Sequence, residues 1–176
     1  MESYMVISIL GKNQSGIVHD LSEAASQYGC SIADSRMTVL GNEFAAVLLI
    51  EGSWSELAKM ETGLTNLEKK YKLSIIIRRT EAREPQPELV PYIVQVITLD
   101  TPGVLNKITE FFSERNIPIE EVYSNTFFSS HTGAPMATMT MTVLINATSS
   151  ITELREAFIL YTEEHNLDAV FEPDKS

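Results

Sequence analysis

The chain has 176 residues, 44% hydrophobic and 21% charged, enough apolar material for one large or two small globular domains. Thirteen Lys and Arg stand against 24 Asp and Glu, and the net charge of −11 argues against direct contact with nucleic acid or an anionic membrane. No run approaches the roughly 18 apolar residues of a membrane helix, and a single cysteine excludes an intrachain disulfide or a multi-cysteine metal site.

Met1-Glu2-Ser3-Tyr4 leads straight into a strand pattern without the basic and apolar regions of a signal peptide, so a cytoplasmic protein is expected. The first strand covers about Tyr4–Leu10, dense in Val and Ile. Ile17, Val18, Leu21, Ala24, Ala25 and Tyr28 then mark one face of a helix packed on a sheet. Gly29 ends that helix, because glycine accepts the left-handed cap conformation. A second strand starts near Ser31, and Gly41-Asn42 turns it into a third. A second helix near Ser55–Tyr71 carries the stripe Leu57, Met60, Leu64, Leu67 and Tyr71, and Ile75-Ile76-Ile77 closes the series.

The same series then returns. Met5-Val6-Ile7 falls on Tyr92-Ile93-Val94, Gly16-Ile17-Val18 on Gly103-Val104-Leu105, and Ile32 on Ile119, all 87 residues apart. From Leu57, matching Ile151, the offset is 94, which places a seven-residue insertion in the arm at about Phe127–Met136. Leu154, Phe158, Tyr161 and His165 complete the second stripe, and Thr138–Val143 alternates so that Met139, Met141 and Val143 face the core. The period is too long for a solenoid and suits a duplicated domain. The predicted fold is α+β: two tandem ferredoxin-like βαββαβ domains, antiparallel sheets with helices on one face. Their bounds are 1–80 and 91–176, joined by a polar linker over 81–90 that contains Pro85 and Pro87. Several strands are apolar on both sides, so the second sheet face should also be covered, by the sister copy or by another chain.

The chemistry-bearing residues do not assemble into a catalytic or metal motif. His19, His131 and His165 lie in different elements, and HExxH, Walker A, GxSxG and GxGxxG patterns do not occur. His165 sits at a core-stripe position, His19 beside a turn, His131 in the arm, and Cys30 where a helix meets a strand, a placement that suits burial. The turns after each first strand are different. In Asn13-Gln14-Ser15-Gly16-Ile17 and Asp100-Thr101-Pro102-Gly103-Val104, a glycine permits close backbone approach and a helix N-terminus presents unpaired N–H groups. Such an end attracts a carboxylate, and Asn13 or Asp100 can accept from an ammonium group. The same residues also suit plain helix capping, and both readings stand.

Asp100-Thr101-Pro102-Gly103-Val104-Leu105, following Val94–Leu99 and with Asn116-Ile117-Pro118-Ile119 at the helix end, resembles the ACT domain, a regulatory module that commonly binds amino acids. Leu10-Gly11-Lys12-Asn13-Gln14-Ser15-Gly16-Ile17-Val18, in a pair of such units without an attached catalytic domain, is similar to the family of glycine cleavage system repressors. That resemblance implies a non-enzymatic transcriptional regulator with no cofactor, responsive to glycine and acting on a DNA-binding activator of the LysR type. It implies ligand-binding residues at Asn13, Gly16, Ile17 and Ser31, then Asp100, Gly103 and Val104, and family members often pair as homo-oligomers. Asn13 and Ser15 depart from the Asp and Pro of the motif, and Pro118 replaces a polar position, so the two sites are expected to differ. Two other readings are a free-standing amino-acid sensor acting on a metabolic enzyme, and a shortened relative of formyltetrahydrofolate deformylase. The latter would need a further catalytic domain.

Overall fold

A computed structural model describes residues 3–174. Two compact units meet at Glu84/Pro85. The first unit contains β1 (Ser3–Lys12), α1 (Ile17–Gln27), β2 (Ser31–Leu40), β3 (Glu43–Gly52), α2 (Trp54–Tyr71) and β4 (Ser74–Thr80). The second contains β5 (Leu89–Leu99), α3 (Val104–Ser113), β6 (Ile119–Phe128), β7 (Pro135–Asn146), α4 (Ile151–Glu164) and β8 (Asp168–Pro173). Both sheets are antiparallel, in the orders β2-β3-β1-β4 and β6-β7-β5-β8. Each unit is thus a βαββαβ fold with its first strand inside the sheet, and β5 takes in Leu89 and Val90 of the expected linker.

Alternation fixes which face each strand turns to its helices. Met5, Ile7 and Ile9 on β1 are buried with Ala46, Leu48 and Ile50 on β3, and they meet Ile17 and Leu21 of α1 and Leu57, Met60 and Leu64 of α2. The second unit buries Val94, Val96, Met139, Met141 and Val143 against Ile108, Phe111, Phe112 and Phe158, with Phe171 closing the cluster. Opposite the helices, Val47, Ile76, Ile97 and Val170 remain exposed.

Three local expectations need correcting. The spacing puts Val18, and by the same offset Leu105, on the buried helix face, yet both are exposed. The helix touches its sheet through the narrower i, i+4, i+7, i+8 stripe, and the residue one step on lies about 100° round the cylinder. Arg115, 87 residues after Tyr28 and so expected on the same buried face, instead lays its guanidinium 3.8 Å from the Phe111 ring centre. Finally, the seven-residue insertion is divided. Lys12 and Leu99 are 87 apart while their partners Glu43 and Met136 are 93 apart, so six extra residues belong to the β6–β7 turn and one follows β7. The two ends of the expected arm, Phe127-Phe128 and Pro135-Met136, are strand, and Ser129–Ala134 turns, closed by Ser129 N–H to the Ala134 carbonyl.

The equivalence of the halves extends to irregularities. β2 is bulged between Ile32 and Asp34, β6 between Ile119 and Glu121, at matching points on two edge strands. Such bulges blunt an open edge against pairing with another chain.

Candidate functional site

Both first strands end in a turn that places a left-handed glycine at the helix N-cap, Gly16 at φ 96° and Gly103 at φ 89°. A side chain is strained there, so glycine is required in both copies for the backbone alone. Neither helix has a side-chain cap, and their first N–H groups are left for other acceptors. Beyond this shared skeleton the two turns diverge.

In the second unit the turn opens onto a cleft of about 380 Å³. Asp100, Thr101, Gly103, Val104 and Leu105 form one wall; Ser124, Asn125 and Thr126 of β6, with Thr138 of β7, supply polar groups opposite. The volume lies near the small end of ligand sites, roughly 300–1,000 Å³. Nothing stands within 4 Å of where a Gly103 side chain would begin. The first turn of α3 holds no acid, and Lys107 lies four residues beyond Gly103. Asp100 donates its backbone N–H to Pro135, which ties the turn to the β6–β7 hairpin.

In the first unit the turn is tied to the end of α2 by its own side chains. A Cβ on Gly16 would lie 2.8 Å from the Tyr71 hydroxyl. That hydroxyl donates to Asp20 Oδ2 at 2.8 Å, and Lys70 Nζ reaches the same oxygen at 2.5 Å. Gln14 donates from Nε2 to the Tyr71 carbonyl at 2.9 Å, tying the turn to the end of α2. Asn13 is held through its backbone N–H to Asn42. Bonds from Lys70 and Tyr71 hold the Asp20 carboxyl below its usual range, and the same pairing holds Lys70 up.

This coupling predicts a pH signature. A carboxylate whose folded pKa is depressed stabilises the fold above its unfolded pKa, near 4, and loses that contribution as pH falls through the lower folded value. In urea titrations, wild type should exceed Asp20→Asn in stability at pH 6, and the gap should close as pH falls below about 4. A gap independent of pH would show that Asp20 is not charged in this network.

Ser31 is not brought to the first turn within its unit. It pairs with Glu51, whose other partner is Tyr4, whereas Asn13 follows the opposite end of β1. An antiparallel strand that begins after a crossing helix starts at the far end of the sheet. In the second unit the residues facing Asp100 and Gly103 come instead from the middle of β6. The polar run Ser124-Asn125-Thr126, in a strand otherwise mixed with apolar residues, is the sequence signal for that wall.

The histidines stand apart from the cleft. His165 is half-buried, stacks on Tyr161 with centroids 4.2 Å apart, and bonds through Nδ1 to the Tyr161 carbonyl at 2.8 Å. His131 is exposed on the hairpin turn. His19 lies with Asp20 and Glu23 in a group close enough to share an ion, but Asp20 is already engaged by Lys70 and Tyr71. Cys30 is buried, and desolvation raises its thiol pKa, which fits packing rather than nucleophilic chemistry. No helix among the described residues is long and apolar enough to cross a membrane.

An ACT-domain family model matches residues 3–78. The glycine cleavage system transcriptional repressor of Escherichia coli K12 is 30% identical over 165 residues, covering 94% of this chain and 87% of that one. The Shigella flexneri protein of the same name matches equally. A crystal structure assigned provisionally as a glycine cleavage system transcriptional repressor superposes with a TM-score of 0.72 at 25% identity, over 100% of this chain and 99% of that one. A Galdieria sulphuraria protein of unknown function shares the fold at a TM-score of 0.79 and 23% identity, over 99% of both chains. With the doubled βαββαβ architecture, these relations place the chain in the ACT-domain family, together with the glycine cleavage system transcriptional repressors.

Proposed function

We propose that the chain is an amino-acid-responsive, cytoplasmic regulator of glycine cleavage system transcription that acts by protein contact on a DNA-binding activator. The observation that carries the reading is the open cleft at Asp100–Leu105. It joins free helix N–H groups, which suit a carboxylate, to an exposed carboxylate at Asp100, which suits an ammonium group. Both ends of a small zwitterion find a partner there, and the volume admits an amino acid as small as glycine. The net charge of −11 supports leaving DNA to a partner protein. Exposed apolar residues on the helix-free sheet faces support association with another chain, a second copy included.

The test combines partner capture with ligand dependence. A tagged full-length chain should capture a LysR-type activator from cell extract, and glycine should change the captured amount several-fold. Gly103→Leu, which fills the cleft mouth, should abolish the glycine dependence. Capture dominated by an enzyme of amino-acid or one-carbon metabolism would replace transcription with enzyme control. Absence of any amino-acid effect would remove the sensing role.

A further inference from the structure

We infer that the outer face of α4 is a docking surface for a basic helix with an aliphatic centre on a partner protein. This surface rests on the protein-contact half of the functional reading above and deepens it, placing the contact on one helix that takes no part in the cleft.

The charge of the chain is unevenly divided. Residues 85–176 hold 13 of the 24 acidic residues and 4 of the 13 basic ones, so −9 of the net −11 falls on the second unit. Part of that charge is gathered on α4. Glu153, Glu156, Glu163 and Glu164 are exposed there, and among the described residues none of these four carboxylates has an ion-pair partner. Ile159 and Leu160 stand between them, 45% and 62% exposed. Glu156 lies one turn before this aliphatic pair, and Glu163 and Glu164 lie one turn after it.

The equivalent face of α2 shows that the fold does not ask for this pattern. At the 94-residue offset, Lys59, Lys69 and Lys70 stand where α4 has Glu153, Glu163 and Glu164. Thr65 and Asn66 stand where it has Ile159 and Leu160. Three charges are reversed and two polar positions are aliphatic, while the buried stripe stays apolar in both helices. Core packing explains Leu64 and Phe158. It explains none of the five solvent-facing differences.

The α4 pattern also works against its own helix. A helix C-terminus carries negative partial charge and favours cations. The last turn of α2 holds Lys69 and Lys70, whereas the last turn of α4 holds two glutamates and no basic residue. Local rules are broken in this way where a surface serves function. A basic helix laid along α4 would neutralise the glutamates and cover both aliphatics, and the 14 residues of α4 offer it about 21 Å of length. Nucleic acid and anionic lipid have the wrong sign for this face. The α2 face of a second copy has the right sign but lacks an aliphatic centre, since Thr65 and Asn66 stand there.

The probe is an amidated peptide of about 16 residues, with leucines at i, i+3, i+4 and i+7 and lysines elsewhere. Titrated into the full chain, it should bind with shifted amides centred on 153–164. Glu163→Lys/Glu164→Lys, which installs the α2 residues, should weaken binding about tenfold and yet unfold at a higher urea concentration than wild type. The loss would then not be one of folding. Ile159→Thr/Leu160→Asn should weaken binding about fivefold, by loss of exposed apolar area. Glu88→Lys/Glu172→Lys, the same charge change elsewhere on the unit, should keep the affinity within about twofold. Equal losses from both charge-reversed pairs, shifts centred outside α4, or a wild-type dimer that Glu163→Lys/Glu164→Lys separates would overturn the inference. Equal capture of an activator by wild type and by that α4 variant would also overturn it, leaving the functional reading intact. Peptide bound at α4 with no activator captured by wild type would overturn the transcriptional reading and leave the surface standing.

Discussion

Phe158→Ala is expected to destabilise the second unit by about 3–5 kcal/mol, the usual cost of emptying a large aromatic site in a packed core. Phe158 is 1% exposed and lies at the centre of the aromatic cluster, with ring centroids 5.1 Å from Phe111, 5.5 Å from Phe112 and 5.6 Å from Phe171. Rings at these separations contribute edge-to-face and tilted contacts beyond their buried area. The two hydrophobic cores are separate clusters, so the loss should fall on one unit. The only tryptophan, Trp54, belongs to the first unit and gives an independent reporter. In urea, far-UV circular dichroism should show an early transition for the variant, while Trp54 fluorescence keeps its wild-type midpoint. Phe158→Leu, which installs the residue found at Leu64 in the first unit, should cost less than the alanine variant, since it leaves a smaller cavity. A shift of the Trp54 midpoint as large as that of the dichroism would mean the units unfold as one.

The aromatic core illustrates what one-dimensional reading captures. Leu64 and Phe158 were paired by offset alone, and both are buried at 1% exposure on the second helix of their unit. Periodicity is legible because a helix or strand repeats its contacts along the chain. The same logic located both glycine turns, since a strand, a glycine and an apolar helix start are consecutive in sequence. It failed at Val18, because adjacent apolar residues need not share a face.

What lay beyond reach is the meeting of side chains from distant elements. Tyr71 is the last member of a core stripe, and its ring packs there. Its hydroxyl reaches across to Asp20, 51 positions away, and that contact distinguishes the two copies. The substitutions at Asn13 and Ser15 imply that the turns differ, and the side chains that pack against the first turn come from α1 and the end of α2. Ser124–Thr126 escaped notice for the same reason: they face the second turn only through the register of β6 on β7 and β7 on β5.

The contrast between the turns leads to a second large effect. Gly16→Ala should destabilise the chain more than Gly103→Ala, although the two glycines share nearly the same φ. Forcing an L side chain into the left-handed region costs about 1–2 kcal/mol at either position. For Gly103 that is the whole cost, since the new methyl meets open space. At Gly16 the methyl would stand 2.8 Å from the Tyr71 hydroxyl, so a tyrosine packed in the core must shift. Overpacking of this kind adds about 1–3 kcal/mol. The clash involves one oxygen atom, so Tyr71→Phe should relieve it, and Gly16→Ala in the phenylalanine background should cost little more than Gly103→Ala. Contacting residues are expected to be non-additive in this way. Urea midpoints for the two single alanine variants, Tyr71→Phe and the Gly16→Ala/Tyr71→Phe double variant decide the matter. Equal losses for the two alanines, or strict additivity with Tyr71→Phe, would mean that the hydroxyl does not crowd Gly16.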